Sequence, residues 1–312
     1  MKKLFLGLIT ILLIAGCIAP GFEFPNPFAP EGPKVIESPY DVISIANITV
    51  LPSSSLFPED QFSVYFEVSN QDEFEPVNVG YNLYDTGLCT ILEGGEPRIS
   101  SSSRSGQYSP NFSPEETRLV EWNFKAPSAS DIVSISVTCP IRFKFNFTDS
   151  ATSQIDVDVI DSGHLSDLQR AGKSPTFTPT VNVGRGPVKI YFDFGTSLPV
   201  RNNSALPVYL TVEDKGTGLL REIEKSKFKI TFPPNFTVPD NACPYFTCSN
   251  DTNGGRKCES NAAIPIISKK SLQIRCSTTT PTPIDTEKTY FINASVDYDY
   301  AAVGEVNVEV KP

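Results

Sequence analysis

The sequence predicts an all-β protein built as two tandem antiparallel β-sandwich domains, and three observations carry that prediction. Short runs of alternating apolar and polar residues recur along the chain, turn-forming residues separate them, and no long stretch keeps the 3.6-residue period of a helix. With 312 residues, the chain has room for two cores behind a leader and a tether.

The leader is residues 1–16. Lys2 and Lys3 precede the apolar run from Leu4 to Ile14, and the small residues Ala15 and Gly16 lead to Cys17, which is the layout of a secretory signal peptide. The run is shorter than the ~20 residues that cross a bilayer as a helix. Ile14-Ala15-Gly16-Cys17 also fits a lipobox, in which cleavage falls before a lipid-bearing cysteine. Cys17 is therefore expected to anchor the chain to the extracellular face of the cell membrane. Residues 17–39 form the tether: Pro20, Pro25, Pro27, Pro30, Pro33 and Pro39 fix φ and favour extended chain.

Composition narrows the partners. The net charge is −10 and becomes more acidic once Lys2 and Lys3 leave with the leader, so a phosphate backbone is repelled and no nucleic-acid partner is expected. A single histidine, His164, argues against multi-histidine metal sites, and no cofactor is expected. Besides Cys17 there are Cys89 and Cys139 in the first half, and Cys243, Cys248, Cys258 and Cys276 in the second. Even counts in an exported chain read as disulfides. Cys89–Cys139 follows if pairing stays within each half. The other four allow three connectivities, of which Cys243–Cys276 with Cys248–Cys258 is favoured; a four-thiolate zinc site is the rival, and it lacks a Cys-x-x-Cys knuckle. Sequons at Asn47, Asn111, Asn146, Asn202, Asn235, Asn250 and Asn293 mark candidate glycosylation sites.

The first domain is expected at 40–160. Its strands are 42–50, 61–68, 77–83, 119–124, 132–138, 142–147 and 154–160, with a Gly-, Ser- and Pro-rich loop at 94–113. Phe62, Val64, Phe66 and Val68 share one face, as do Val120, Trp122 and Phe124. A linker at 161–175 carries a short helix capped by Ser162 or Ser166 and stopped at Gly172. The second domain, 176–312, is expected to use strands 188–194, 206–212, 227–232, 271–276, 288–298 and 305–310, with a disulfide-rich excursion at 239–261.

Two stretches carry a family resemblance. Ser113-Pro114-Glu115-Glu116-Thr117 leading to Trp122 and Ala126-Pro127 resembles the Pro-Gly-Glu turn, Trp strand and Ala-Pro exit of adhesion-type immunoglobulin-like domains in archaeal and bacterial surface proteins, with Glu115 in place of the usual glycine. Val208 to Gly218 is similar to the strand and Asn-Lys-Gly turn of the same group, with Asp214 in the asparagine position. The style of the chain resembles archaeal surface lipoproteins. That resemblance implies immunoglobulin-like sandwiches used for display or adhesion, and it supplies no catalytic residues.

Candidate chemistry is sparse. His164 with Ser162 or Ser166 and Asp161 or Asp167 has the letters of a hydrolase triad, but all lie within one linker and no Gly-x-Ser-x-Gly elbow is present. Ala171-Gly172-Lys173-Ser174 matches only the end of a P-loop. Asn250 to Gly255 with Glu259 is oxygen-rich without EF-hand spacing, while Asp156 with Asp158 and Asp297 with Asp299 alternate within strands, as a polar outer face does. The sequence thus favours a non-enzymatic, lipid-anchored surface protein that contacts an envelope protein or a glycan. The alternatives are a structural subunit of an envelope layer or filament, and a carbohydrate-binding or carbohydrate-active protein.

Overall fold

In the computed structural model, two strands of unusual length organise everything else. The described residues are 38–312, apart from 93–96, 102–103, 108 and 133–134, with only the backbone described for 99–107; the leader, Cys17 and the Pro-rich tether lie outside them. The elements used below are β1 (Ile43–Leu51), β2 (Gln61–Asn70), β3 (Val77–Asp85), β4 (Arg98–Ser101), β5 (Thr117–Lys125), β6 (Val137–Ile160) and α1 (Ser162–Arg170). They continue with β7 (Val188–Phe194), β8 (Ala205–Asp214), β9 (Phe228–Phe232), β10 (Phe246–Asn250), β11 (Arg256–Ser260), β12 (Ile274–Thr279) and β13 (Glu287–Val310).

Strands β6 and β13, 24 residues each, pair antiparallel over their full length, from Val137↔Val310 to Ile160↔Glu287. At ~3.4 Å per residue this ribbon runs about 80 Å. Odd-numbered residues of β6 and even-numbered residues of β13 point inward throughout, so one uninterrupted period-two pattern feeds two cores.

At one end, β1, β2, β5 and β4 form a sheet that covers β3, the first half of β6 and the last half of β13. The core there is aromatic. Phe66 stacks on Phe143 with ring centroids 4.3 Å apart, and Trp122 meets Phe143 at 5.3 Å. Gly304 lies under the Phe143 ring, where a Cβ would collide with it, so glycine in mid-strand has a packing reason. At the other end, β7, β8 and β12 cover the rest of the ribbon with β9, β11 and β10. That core is mainly aliphatic: Ile155, Val157, Val159, Ile190, Leu206, Val208, Leu210 and Ile292 are all buried there, along with Phe228 and Phe232.

Between the cores the ribbon turns polar inside. Tyr298 Oη donates to Asp149 Oδ2 at 2.5 Å, and Tyr300 Oη donates to Asp214 Oδ1 at 2.9 Å. Asp41, where the first sandwich begins, accepts from the Thr217 amide and hydroxyl in the second. Gly216 fits because a Cβ there would strike both the Asp41 carboxylate and the Tyr300 hydroxyl. Burial pushes the Asp149 and Asp214 carboxyls up, and both tyrosine hydroxyls rise through burial and the carboxylates they face.

The all-β, antiparallel architecture is as the alternation predicts, but the division at 161–175 needs correction. Residues Val35–Pro312 form one compact unit with one contiguous hydrophobic core cluster. The C-terminal strand, expected in the second domain, spends its last half in the first sandwich. The strands expected at 142–147 and 154–160 are one, as are 288–298 and 305–310, and of the described residues within 132–138 only 137 and 138 are strand. Pro140 and the polar run 148–153 look like breaks in sequence. Pro140 is tolerated because β3 pairs only from Arg142 onward, leaving one side of β6 without a partner there. The polar run continues as strand because its inward Asp149 meets Tyr298.

Helix α1 exists, but its cap is Asp161, which accepts from the Gly163 and His164 amides; neither Ser162 nor Ser166 plays that part. Gly172, at φ +71°, stops it as expected. Disulfides join Cys89–Cys139, Cys243–Cys276 and Cys248–Cys258. Sulfurs of Cys243, Cys248 and Cys258 lie close together, yet all three are consumed in disulfides, which leaves no thiolate for the rival zinc site.

Candidate functional site

An open cleft of about 830 Å³ lies on the outer face of the ribbon. Its floor is the solvent side of three neighbouring strands. Asn78 and Tyr84 come from β3, Lys144, Asn146 and Thr148 from β6, and Asp299, Ala301 and Val303 from β13. The rim is the segment after β8: Leu219 is tied to β13 by reciprocal backbone bonds with Ala301 (2.8 and 3.1 Å), and it carries Arg221, Glu222 and Glu224 to the cleft edge.

Cross-strand register decides which charges are free. On the rung of Arg142, Asp85 and Glu305 stand on either side and both pair with it, at 3.0 and 3.2 Å. Two residues on, Lys144 faces Asn82 and Val303; next, Asn146 faces Gly80 and Ala301; then Thr148 faces Asp299. No opposite charge stands on any of these rungs. Among the described residues, the side chains of Lys144, Asp299, Arg221, Glu222 and Glu224 form no ion pair or hydrogen bond. Gly80 and Ala301 keep the middle of the floor low. A second trough, about 450 Å³, lies farther along the ribbon and is lined by uncharged hydroxyls and amides such as Thr152, Gln154, Thr231, Asn293 and Ser295.

The sequence-derived candidates are scattered. His164 is on α1; the Ser162 hydroxyl donates to Asn202 Oδ1 and that of Ser166 to the Ser162 carbonyl, while the Asp161 carboxyl, held low mainly by the His164 amide, caps the helix. These groups are not arranged as a nucleophile, base and orienter. Lys173 and Ser174 follow a helix instead of opening one. In the 250–259 segment, Asn250 Oδ1 accepts from Arg256 and Glu259 pairs with Lys257, so both of these oxygen groups have protein partners. Asp156 and Asp158 do lie on the outer side of β6, but Asp158 is buried and accepts from the Thr289 hydroxyl, since the Thr289 rung pairs with it.

Of the sequons, Asn47, Asn111, Asn235, Asn250 and Asn293 are exposed, and Asn146 and Asn202 are half-buried. Asn47 and Asn202 commit their amide nitrogens to Glu67 and Asp161. Asn146 sits in the cleft floor and Asn293 in the second trough. Sequence reasoning did not find the cleft. Its one visible signal was the exposed alternation of β6, and the rim comes from residues about 75 positions later.

No family model matches the sequence, and no curated protein is similar to it. Among solved structures, the chain is similar to a collagen adhesin (CNA) from S. aureus at 11% identity and a TM-score of 0.21, over 88% of this chain and 97% of that one. It is also similar to chitinase ChiA74 from Bacillus thuringiensis at 13% identity and a TM-score of 0.19, over 78% of this chain and 28% of that one. The chain thus spans little more than a quarter of that chitinase. At such scores neither likeness bears on ligand or activity.

Proposed function

We propose that the chain is a non-enzymatic protein, anchored by lipid on Cys17 to the extracellular face of the membrane, whose coupled sandwiches present a contact surface to another envelope or cell-surface protein. The observation that carries this reading is cysteine pairing. All six cysteines among the described residues are in disulfides, which belong to an oxidising compartment, and the remaining cysteine of the sequence stands at the lipobox position. The stiff ribbon gives such a protein a rigid display surface. Assembly into a filament by strand addition is less well supported, because edge strand β1 carries a bulge between Ala46 and Thr49, with Asn47 at φ 54°.

The test is fractionation of cells making the native chain or Cys17→Ser, with metabolic lipid labelling. The native chain should enter the membrane fraction with label, and Cys17→Ser should appear unlabelled in the medium. Equal release of both forms, or an unlabelled native chain, would overturn the anchor.

A further inference from the structure

We infer that the outer-face cleft binds an extended polypeptide segment of mixed charge, with an acidic and a basic residue four positions apart. This rests on the reading of the chain as a surface contact protein and names the partner chemistry.

The floor sets the spacing. Asp299 lies opposite Thr148, four residues along β6 from Lys144, so the two floor positions are about 13 Å apart along the strand direction and one strand apart across it. In an extended ligand, residues i and i+4 are separated by the same ~13 Å and project to the same side. An acidic side chain can therefore meet Lys144 while a basic one meets Asp299. The residue between them, i+2, passes over the low ground of Gly80, Asn146 and Ala301. Leu219 and Val303, 49% and 38% exposed, offer apolar contact for flanking side chains.

Charge also favours this ligand over a neutral glycan. The cleft holds five ionised side chains of both signs without protein partners, and a neutral ligand that excluded water would strip their hydration without a counter-charge. Among the described residues the only exposed aromatic ring at the cleft is Tyr84, so a ladder of sugar rings would have one stacking platform there. A strongly acidic or basic polymer would meet like charges at Asp299, Glu222 and Glu224, or at Lys144 and Arg221.

The test uses the full chain purified in detergent and made without N-glycosylation, since Asn146 lies in the floor. A phage-displayed random 12-residue library is panned on it, and the selected consensus is synthesised and measured by fluorescence anisotropy. The expected consensus has an acid and a base four apart. Lys144→Glu should weaken its binding at least tenfold, and Lys144→Glu with Asp299→Lys should instead bind the peptide whose two charges are exchanged. Lys257→Glu, distant from the cleft, should change nothing. Both cleft variants alter outward side chains, and their unchanged melting is checked first; if they melt early, Arg221→Glu on the rim replaces them as the tenfold test. Failure to select any peptide, or binding indifferent to the cleft variants, overturns the inference. So does a neutral oligosaccharide that binds the native chain and is lost in Lys144→Glu. Peptide binding is read in solution, so failure of the lipid anchor would leave this result standing, and failure here would leave the anchor untouched.

Discussion

The two ends of the β6–β13 ribbon have the same backbone and the same alternation, yet they are stabilised differently. The first end packs stacked aromatic rings under a sheet whose four main strands come from residues 43–125, and it has one disulfide that closes a separation of 50 residues. The second packs branched aliphatics and has two disulfides at separations of 33 and 10 around a polar excursion. The difference teaches that a period-two strand specifies only that a core exists. Which core it enters is set by the layer laid over it. It also shows a dependence in one direction: the first sandwich needs the last residues of the chain, whereas the second draws its strands from residues near its own.

Deleting 299–312 should expose that asymmetry most strongly. It removes Val306, Val308 and Val310 and half the pairing of β6, a loss on the order of the ~5–15 kcal/mol that holds a domain together. Hydrogen exchange should show protection lost across β2 and β5 and kept in β8 and β12; retained protection in β5 would break the comparison. Point changes come next. Phe143→Ala should cost about 3–5 kcal/mol and Ile155→Val about 1 kcal/mol in urea unfolding, because the ring deletion leaves a cavity among fixed neighbours. Replacing both cysteines of a pair by serine should cost about 4 kcal/mol at Cys89–Cys139 and about 2.7 kcal/mol at Cys248–Cys258, if loop entropy in the unfolded chain governs. Equal losses would sharpen the view that the excursion depends on its staple more than its length suggests.

The polar waist should give smaller effects. Tyr300→Phe removes the donor to buried Asp214 and should cost about 1–2 kcal/mol by thermal melting, with both ends destabilised together. The smallest effect is the pH dependence. Asp149 and Asp214 have folded pKa values above the ordinary 3.8, so the fold binds these protons more tightly than the unfolded chain. Their contribution to stability therefore grows as pH falls from the folded values toward 3.8, and it is at its poorest at neutral pH. Glu116 runs the other way: Arg118 holds its carboxyl below 4.5, and the stability it supplies at neutral pH is lost on acidification through its lowered value. Asp149→Asn should raise stability at pH 7 and flatten the acid-side rise; a steeper rise would mean that the carboxylate is favoured at the waist.

Much of the fold is legible from particular residues. Phe62 to Val68, Val120 to Phe124 and Val306 to Val310 announce their faces by alternation, and Gly172 announces the helix end. Pro140 and Thr148 to Ser153 mislead, because a local reading treats a missing donor or a polar run as a break. Whether it is one depends on what the neighbouring strand and the facing layer offer. The cleft was illegible for the same reason: Lys144 looks like any solvated lysine, and only the register shows that Asn82 and Val303, not carboxylates, flank it.

What the sequence alone determined is the class of backbone and the pairing of six cysteines. Alternation imposes strands because every second side chain must leave water, and, Cys17 aside, an even count of cysteines in each half matches the three disulfides. Tertiary structure decided that the two expected domains share one spine, that a polar waist joins their cores, and that five charges gather unpaired at one cleft. These depend on which strands become neighbours across more than a hundred residues. Pairing over that distance is set by the packing of whole sheets, which no local pattern encodes.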